Sequence, residues 1–107
     1  MSIGEKDKKF VWHPFTQMKH ASEALPIVKG EGTLLFDEEG KSYIDAIASW
    51  WVNLHGHAHP YLSEKVNEQM EKLAHIPFAG FTHSPAVELC ERLSARLPDN
   101  QQKFFFS

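Results

Sequence analysis

The sequence predicts a mixed α/β protein, α+β when this stretch is taken alone, built as a small antiparallel β meander followed by two helices and a final strand. Two observations lead there. Three short β-like segments, PIVKG, TLLFD and KSYIDAIA, are split by the turn signals GEG at Gly30 to Gly32 and DEEG at Asp37 to Gly40. After Pro60 the apolar residues recur at three- and four-residue steps, which is the period of a helix.

Each element has its own reason. Residues 1–9 are polar and read as a disordered tail. Residues 10–25 form an aromatic arm, in which FVWHPFTQM from Phe10 to Met18 surrounds a proline that favours an extended backbone. The meander follows. In the first helix Leu62, Val66, Met70, Leu73 and Ala74 make an apolar stripe between charged residues, entered through Pro60. Ser84 is a candidate N-cap of the second, with Pro85 at its first position. There Ala86, Leu89, Cys90, Leu93 and Leu97 form the stripe expected to be buried, and Pro98 ends it. DNQQ then turns into a strand from Lys103 to Phe106. An apolar strand of this kind belongs inside a sheet, so residues 26–107 are expected to run from a small subdomain into the start of a larger domain.

Composition excludes several classes. At 107 residues the chain has room for one small core. Its net charge of −3, with EKDKK as the only dense basic run, gives no face for nucleic acid. No apolar run is long enough for a membrane span or a signal-peptide core, which points to the cytoplasm. Cys90 is the only cysteine, so no disulfide forms within the chain.

The residues with chemistry lie in SWWVNLHGHAHP, Ser49 to Pro60. On one extended strand His55, His57 and His59 would share a face and could meet a zinc ion, so a standalone metal-binding module is the alternative reading. Against it, Gly56 and Pro60 mark a strand-to-helix junction, and no carboxylate stands beside each imidazole to orient it. Metal ligation is therefore not the expectation. Trp50 and Trp51, at the end of the third strand, would face opposite sides, so one belongs to the local core and the other covers a partner or ligand.

WHPFTQM at Trp12 to Met18, ASWWVNLHGHAHP at Ala48 to Pro60 and FAGFTHSPAVELCERL at Phe78 to Leu93 together resemble the class-III aminotransferases, in particular their biotin-pathway branch. The resemblance runs from about Val11 to the end. It implies the N-terminal subdomain of a fold-type-I transferase dependent on pyridoxal 5'-phosphate, and a homodimer with active sites at the subunit interface. It implies transfer of an amino group from S-adenosylmethionine to 8-amino-7-oxononanoate, although some relatives use lysine as donor. Trp50 matches the family's substrate-binding tryptophan. Phe15 falls where many members place a substrate-contacting tyrosine, so stacking survives there and the hydroxyl's hydrogen bond does not. Trp51 is expected to pack locally, and Phe78 to His83 resemble a stretch near the dimer interface. The family's phosphate-holding Gly-Ser pair and Schiff-base lysine match nothing in these residues. No catalytic or cofactor-binding residue is thus expected in the chain, and alone it should be inactive.

Overall fold

A computed structural model describes residues 1–106, and the chain divides into two compact units, Met1–Val66 and Asn67–Ser107. The first unit holds the sheet. Strands β1 (Ile27–Glu31), β2 (Leu34–Asp37) and β3 (Ser42–Ile44) pair antiparallel in the order β1-β2-β3, as the alternation and turn signals predict. Glu31 pairs with Leu34 across a two-residue loop, and Gly32 supplies the positive φ of 56° that such a loop needs at its first position. An extra residue, Val28, bulges the ladder between Ile27 and Lys29.

The second turn is organised by Asp37, one of the few buried polar residues. Its Oδ1 accepts the backbone N–H of Glu39 at 3.0 Å and of Lys41 at 2.9 Å, and its Oδ2 accepts the Tyr43 hydroxyl at 2.8 Å. Tyr43's donated bond is the main reason its carboxyl is held below the ordinary value, with the two backbone donors acting the same way. Gly40, at φ 80°, completes the reversal.

The sequence reading is corrected at both ends. Residues 1–9 are not a disordered tail: α1 spans Ile3–Phe10. Ser2 caps it, its Oγ accepting the Glu5 N–H while the Glu5 carboxylate accepts the Ser2 N–H. Glu5 in the first turn and Lys8 and Lys9 in the last complement the helix dipole. The arm beyond it has no regular structure besides turns, and it is tethered to α1 by His13 Nε2 at 2.8 Å from Asp7 Oδ2. At the other end Lys103 to Phe106 do not form a strand. A strand exists only with a neighbour to take its ladder bonds, and among the described residues none pairs with it.

The two expected helices are α3 (Pro60–Lys72) and α4 (Ser84–Ser94). The residue in the cap position of α4 is His83 and not Ser84, and it makes no side-chain cap bond; Pro85 sits in the first turn as its missing N–H requires. The α4 stripe is also less covered than its spacing predicts. Only Ala86 is buried, while Leu89, Leu93 and Leu97 are exposed, as are Leu62, Val66 and Met70 of α3. Periodicity says which face of a helix is apolar; whether it is covered depends on what the chain offers to cover it.

Candidate functional site

The site is assembled where the meander ends. The third strand, expected to reach Ala48, stops at Ile44: one last bond in ladder register, Asp45 N–H to Thr33 O at 2.8 Å, is followed by a turn in which Ala48 N–H donates to Asp45 O at 3.3 Å. The next residues form α2 (Ala48–Trp51), a single turn wound left-handed: φ is 46° at Ala48, 47° at Ser49, 64° at Trp50 and 65° at Trp51. Residues with a Cβ avoid this region at ~1–2 kcal/mol each. Four in succession need a restraint. Asp45 supplies it. Its Oδ1 accepts the Ser49 N–H at 3.0 Å, its Oδ2 accepts the Ser49 hydroxyl at 2.7 Å, and the same oxygen accepts His57 Nε2–H at 2.7 Å. With its side chain only 6% exposed, the carboxylate is surrounded by donors, Ser49 foremost, and its pKa falls to about 2.

This geometry answers the question of the three histidines. His57 faces Asp45 through Nε2 and Asn53 Nδ2 through Nδ1, at 2.7 Å and 3.3 Å, so that its Nε2–H donates to the carboxylate. Its ring lies against Gly30, where an added Cβ would come within 2.7 Å of Cγ. Its backbone exchanges bonds with Gly32, N to O at 2.8 Å and O to N at 3.1 Å. His55 and His59 meet edge to face instead, with ring centroids 6.3 Å apart. No group of three His, Cys, Asp or Glu side chains converges on a metal-sized space among the described residues. The carboxylate that the sequence reading did not find beside these histidines is Asp45, twelve positions before His57.

The left-handed turn places the two sequence-chosen residues together. The rings of Phe15 and Trp50 lie 5.6 Å apart at an angle of 47°, a favourable tilted pair. Both are open to solvent, Phe15 at 91% and Trp50 at 59%, and Phe15 is itself left-handed at φ 53°. Trp51 is not packed locally: it is 77% exposed, because the positive-φ winding removes the strand alternation that would have turned it inward. What sequence reasoning missed is the support, Asp45, Ser49, Asn53 and Gly30. The available signal was an Asp and a Ser four apart just before the aromatic pair, a spacing at which a side chain can bond a nearby backbone N–H.

The second unit has an open cleft of about 470 Å³, lined by Phe78, Val87, Cys90 and Phe104 to Phe106. Phe78 stacks on Phe106 at 5.6 Å and lies 5.1 Å from the His83 ring. Its lining is apolar apart from Thr82 and Cys90, so it offers surface for packing and no convergent polar groups for chemistry.

A strained aromatic presentation on a meander, followed by the GHAHP junction and two helices, defines a recognisable class. The chain belongs to the class-III aminotransferase family, whose model matches residues 16–107. A relative is the adenosylmethionine-8-amino-7-oxononanoate aminotransferase of Staphylococcus aureus, 45% identical over 107 residues, a match covering 98% of this chain and 24% of the relative. The crystal structure of the enzyme of that name from Methanocaldococcus jannaschii superposes with a TM-score of 0.85 at 36% identity, over 94% of this chain and 23% of that one. An omega transaminase from Pseudomonas jessenii, solved in complex with PMP, superposes at 0.83 and 32% identity, over 92% and 22%. The chain therefore spans about a quarter of the length of such relatives, and its mixture of helices and a small antiparallel sheet is that of the N-terminal part of the transaminase fold. Class-III aminotransferases are pyridoxal-phosphate enzymes acting on small molecules.

Proposed function

We propose that the chain is the N-terminal part of a cytoplasmic, homodimeric enzyme that transfers an amino group from S-adenosylmethionine to 8-amino-7-oxononanoate, giving 7,8-diaminononanoate. The observation that carries this reading is the exposed Phe15–Trp50 pair, held on left-handed backbone at both residues. Two flat rings make a rigid apolar wall, which suits a site that must accept an aliphatic keto acid and a sulfonium donor in turn. Either face can attract the sulfonium, and an adenine can stack on it. Phe15 adds area without a hydroxyl, so polar recognition of the substrates falls to other groups. The similarity to enzymes of this name supports the same substrates. Residues 10–25 then serve as the aromatic arm that brings Phe15 to the site, and residues 26–107 as the small-subdomain segment leading into a cofactor-binding large domain.

We place the cofactor itself on none of the residues present. Pyridoxal phosphate needs a lysine amine for its Schiff base and donors for its phosphate. No step through the cofactor is assigned to this chain. Its part is to receive and orient substrate.

The test is Trp50→Ala in the full-length enzyme, with each half-reaction followed separately. The expected result is a rise in KM for both substrates of about tenfold, equivalent to about 1.4 kcal/mol, with cofactor binding unchanged. Unaltered kinetics in both half-reactions would remove Trp50 from the site.

A further inference from the structure

We infer that Asp45 is the positioning residue for Trp50: by bonding Ser49 and His57 it holds the left-handed turn that sets the indole against Phe15, and so fixes the substrate wall. The inference rests on the reading of Phe15 and Trp50 as substrate-facing, and adds to it the group that decides their geometry.

A run of Ala48, Ser49, Trp50 and Trp51 at positive φ has no glycine to relieve it, so the turn would relax to an ordinary conformation unless tied. Relaxation would swing the Trp50 side chain away, since its direction follows from φ and ψ at its own Cα. Within the turn the backbone bonds are Ala48 N to Asp45 O at 3.3 Å, Trp51 N to Ile47 O at 2.9 Å, Val52 N to Ala48 O and Asn53 N to Ala48 O at 3.1 Å, and none of them uses the amide of Ser49 or Trp50. The Ser49 amide and hydroxyl are taken by Asp45 alone. A neutral amide has one accepting oxygen, whereas the three donors here use both oxygens of the carboxylate, Oδ1 for Ser49 N–H and Oδ2 for Ser49 Oγ–H and His57 Nε2–H at 2.7 Å.

Asp45 is in turn held from behind. Its own N–H is bonded to Thr33 O, and His57, on its far side, is pinned by Asn53, by the Gly32 backbone and by contact with Gly30. The turn is thus fastened through Asp45 and His57 to the β1–β2 hairpin loop. This is the arrangement by which a supporting shell transmits the rigidity of a sheet to an exposed recognition side chain.

The experiment uses the full-length protein labelled with 5-fluorotryptophan, the Trp50 resonance being assigned by its loss in Trp50→Phe. Phe15→Leu defines the shift produced by removing the neighbouring ring. Asp45→Ala is expected to move the Trp50 resonance in the direction of the Phe15→Leu position, and to raise KM for both substrates about tenfold with kcat within about twofold. Ser49→Ala keeps the carboxylate and two of its bonds, so it should move the resonance the same way by less. It also serves as the deciding variant should Asp45→Ala fail to fold. A Trp50 resonance at its wild-type position in the folded variants would overturn the inference whatever the kinetics. Unchanged kinetics in Trp50→Ala would instead overturn the substrate reading, while the resonance still decides whether Asp45 positions the indole.

Discussion

Two aspartates flank β3, and the turns they organise differ in what they hold. Asp37 and Asp45 each accept three hydrogen bonds, two from the turn that follows and one from a side chain further on, Tyr43 in the first case and His57 in the second. In the Asp37 turn the positive φ falls on Gly40, where it costs little and presents nothing. In the Asp45 turn it falls on Ala48, Ser49, Trp50 and Trp51, at roughly 4–8 kcal/mol for the four together. The same device therefore serves two ends. A turn whose strain sits on glycine reverses the chain; a turn that keeps large residues left-handed exists for the sake of where their side chains face.

Alanine at two glycines breaks or sharpens that contrast. Gly30→Ala should have the larger effect, although Gly30 is far from the aromatic pair in sequence. Its new Cβ would lie 2.7 Å from His57 Cγ and 2.8 Å from His57 Cβ, so the imidazole must leave Asp45. The expected outcome in the full-length enzyme is a stability loss of about 1–3 kcal/mol together with weaker binding of both substrates. Gly40→Ala meets no atom within 4 Å and carries only the penalty of φ 80°, about 1 kcal/mol. Its KM values should equal those of the wild type. Thermal melts and steady-state kinetics on the two variants check both, and a Gly40→Ala enzyme with impaired substrate binding would contradict the division between a merely structural turn and a functional one.

The parts of this molecule that were legible from sequence are the ones governed by local period and turn chemistry. The meander follows from GEG and DEEG, and α3 and α4 from three-and-four spacing. The motif-based choice of Trp50 and Phe15 selected two residues that do meet, 5.6 Å apart. The left-handed turn was not legible, because AIASWW has the β-propensity of a strand and nothing in it demands positive φ; the demand comes from Asp45 and from the sheet edge behind it. Helix α1 is hidden by its polarity, which has the composition of a disordered tail, although Ser2 and Glu5 stand at the spacing of a capping box. The last strand failed for a different reason: KFFF has the composition of a strand, but pairing is a property of two segments, and composition describes one.

The smallest effect expected concerns pH, and it too separates the two turns. In the folded chain the Asp45 carboxyl titrates at about 2, against about 3.9 in an unfolded chain. A depressed carboxyl contributes stability fully above its unfolded value and loses that contribution as pH falls through the folded one. The bonds of Asp45 are therefore intact from neutral pH down to about 4 and fade between about 4 and 2. The difference in melting temperature between wild type and Asp45→Asn should accordingly not narrow from pH 7 to pH 5. No acid limb of kcat/KM in that range should disappear in the variant. The Asp37 carboxyl is lowered as well, chiefly by the Tyr43 hydroxyl, so its turn is also intact over this range. The Asp37→Asn enzyme should likewise show no narrowing of its difference in melting temperature, with KM at the wild-type value throughout. Melts and substrate titrations of both variants at pH 7, 6 and 5 measure this. If the Asp45→Asn difference narrowed between pH 7 and 5, the carboxylate would be taking up its proton too early to hold the left-handed turn under working conditions, and the contrast between the two aspartates would be lost.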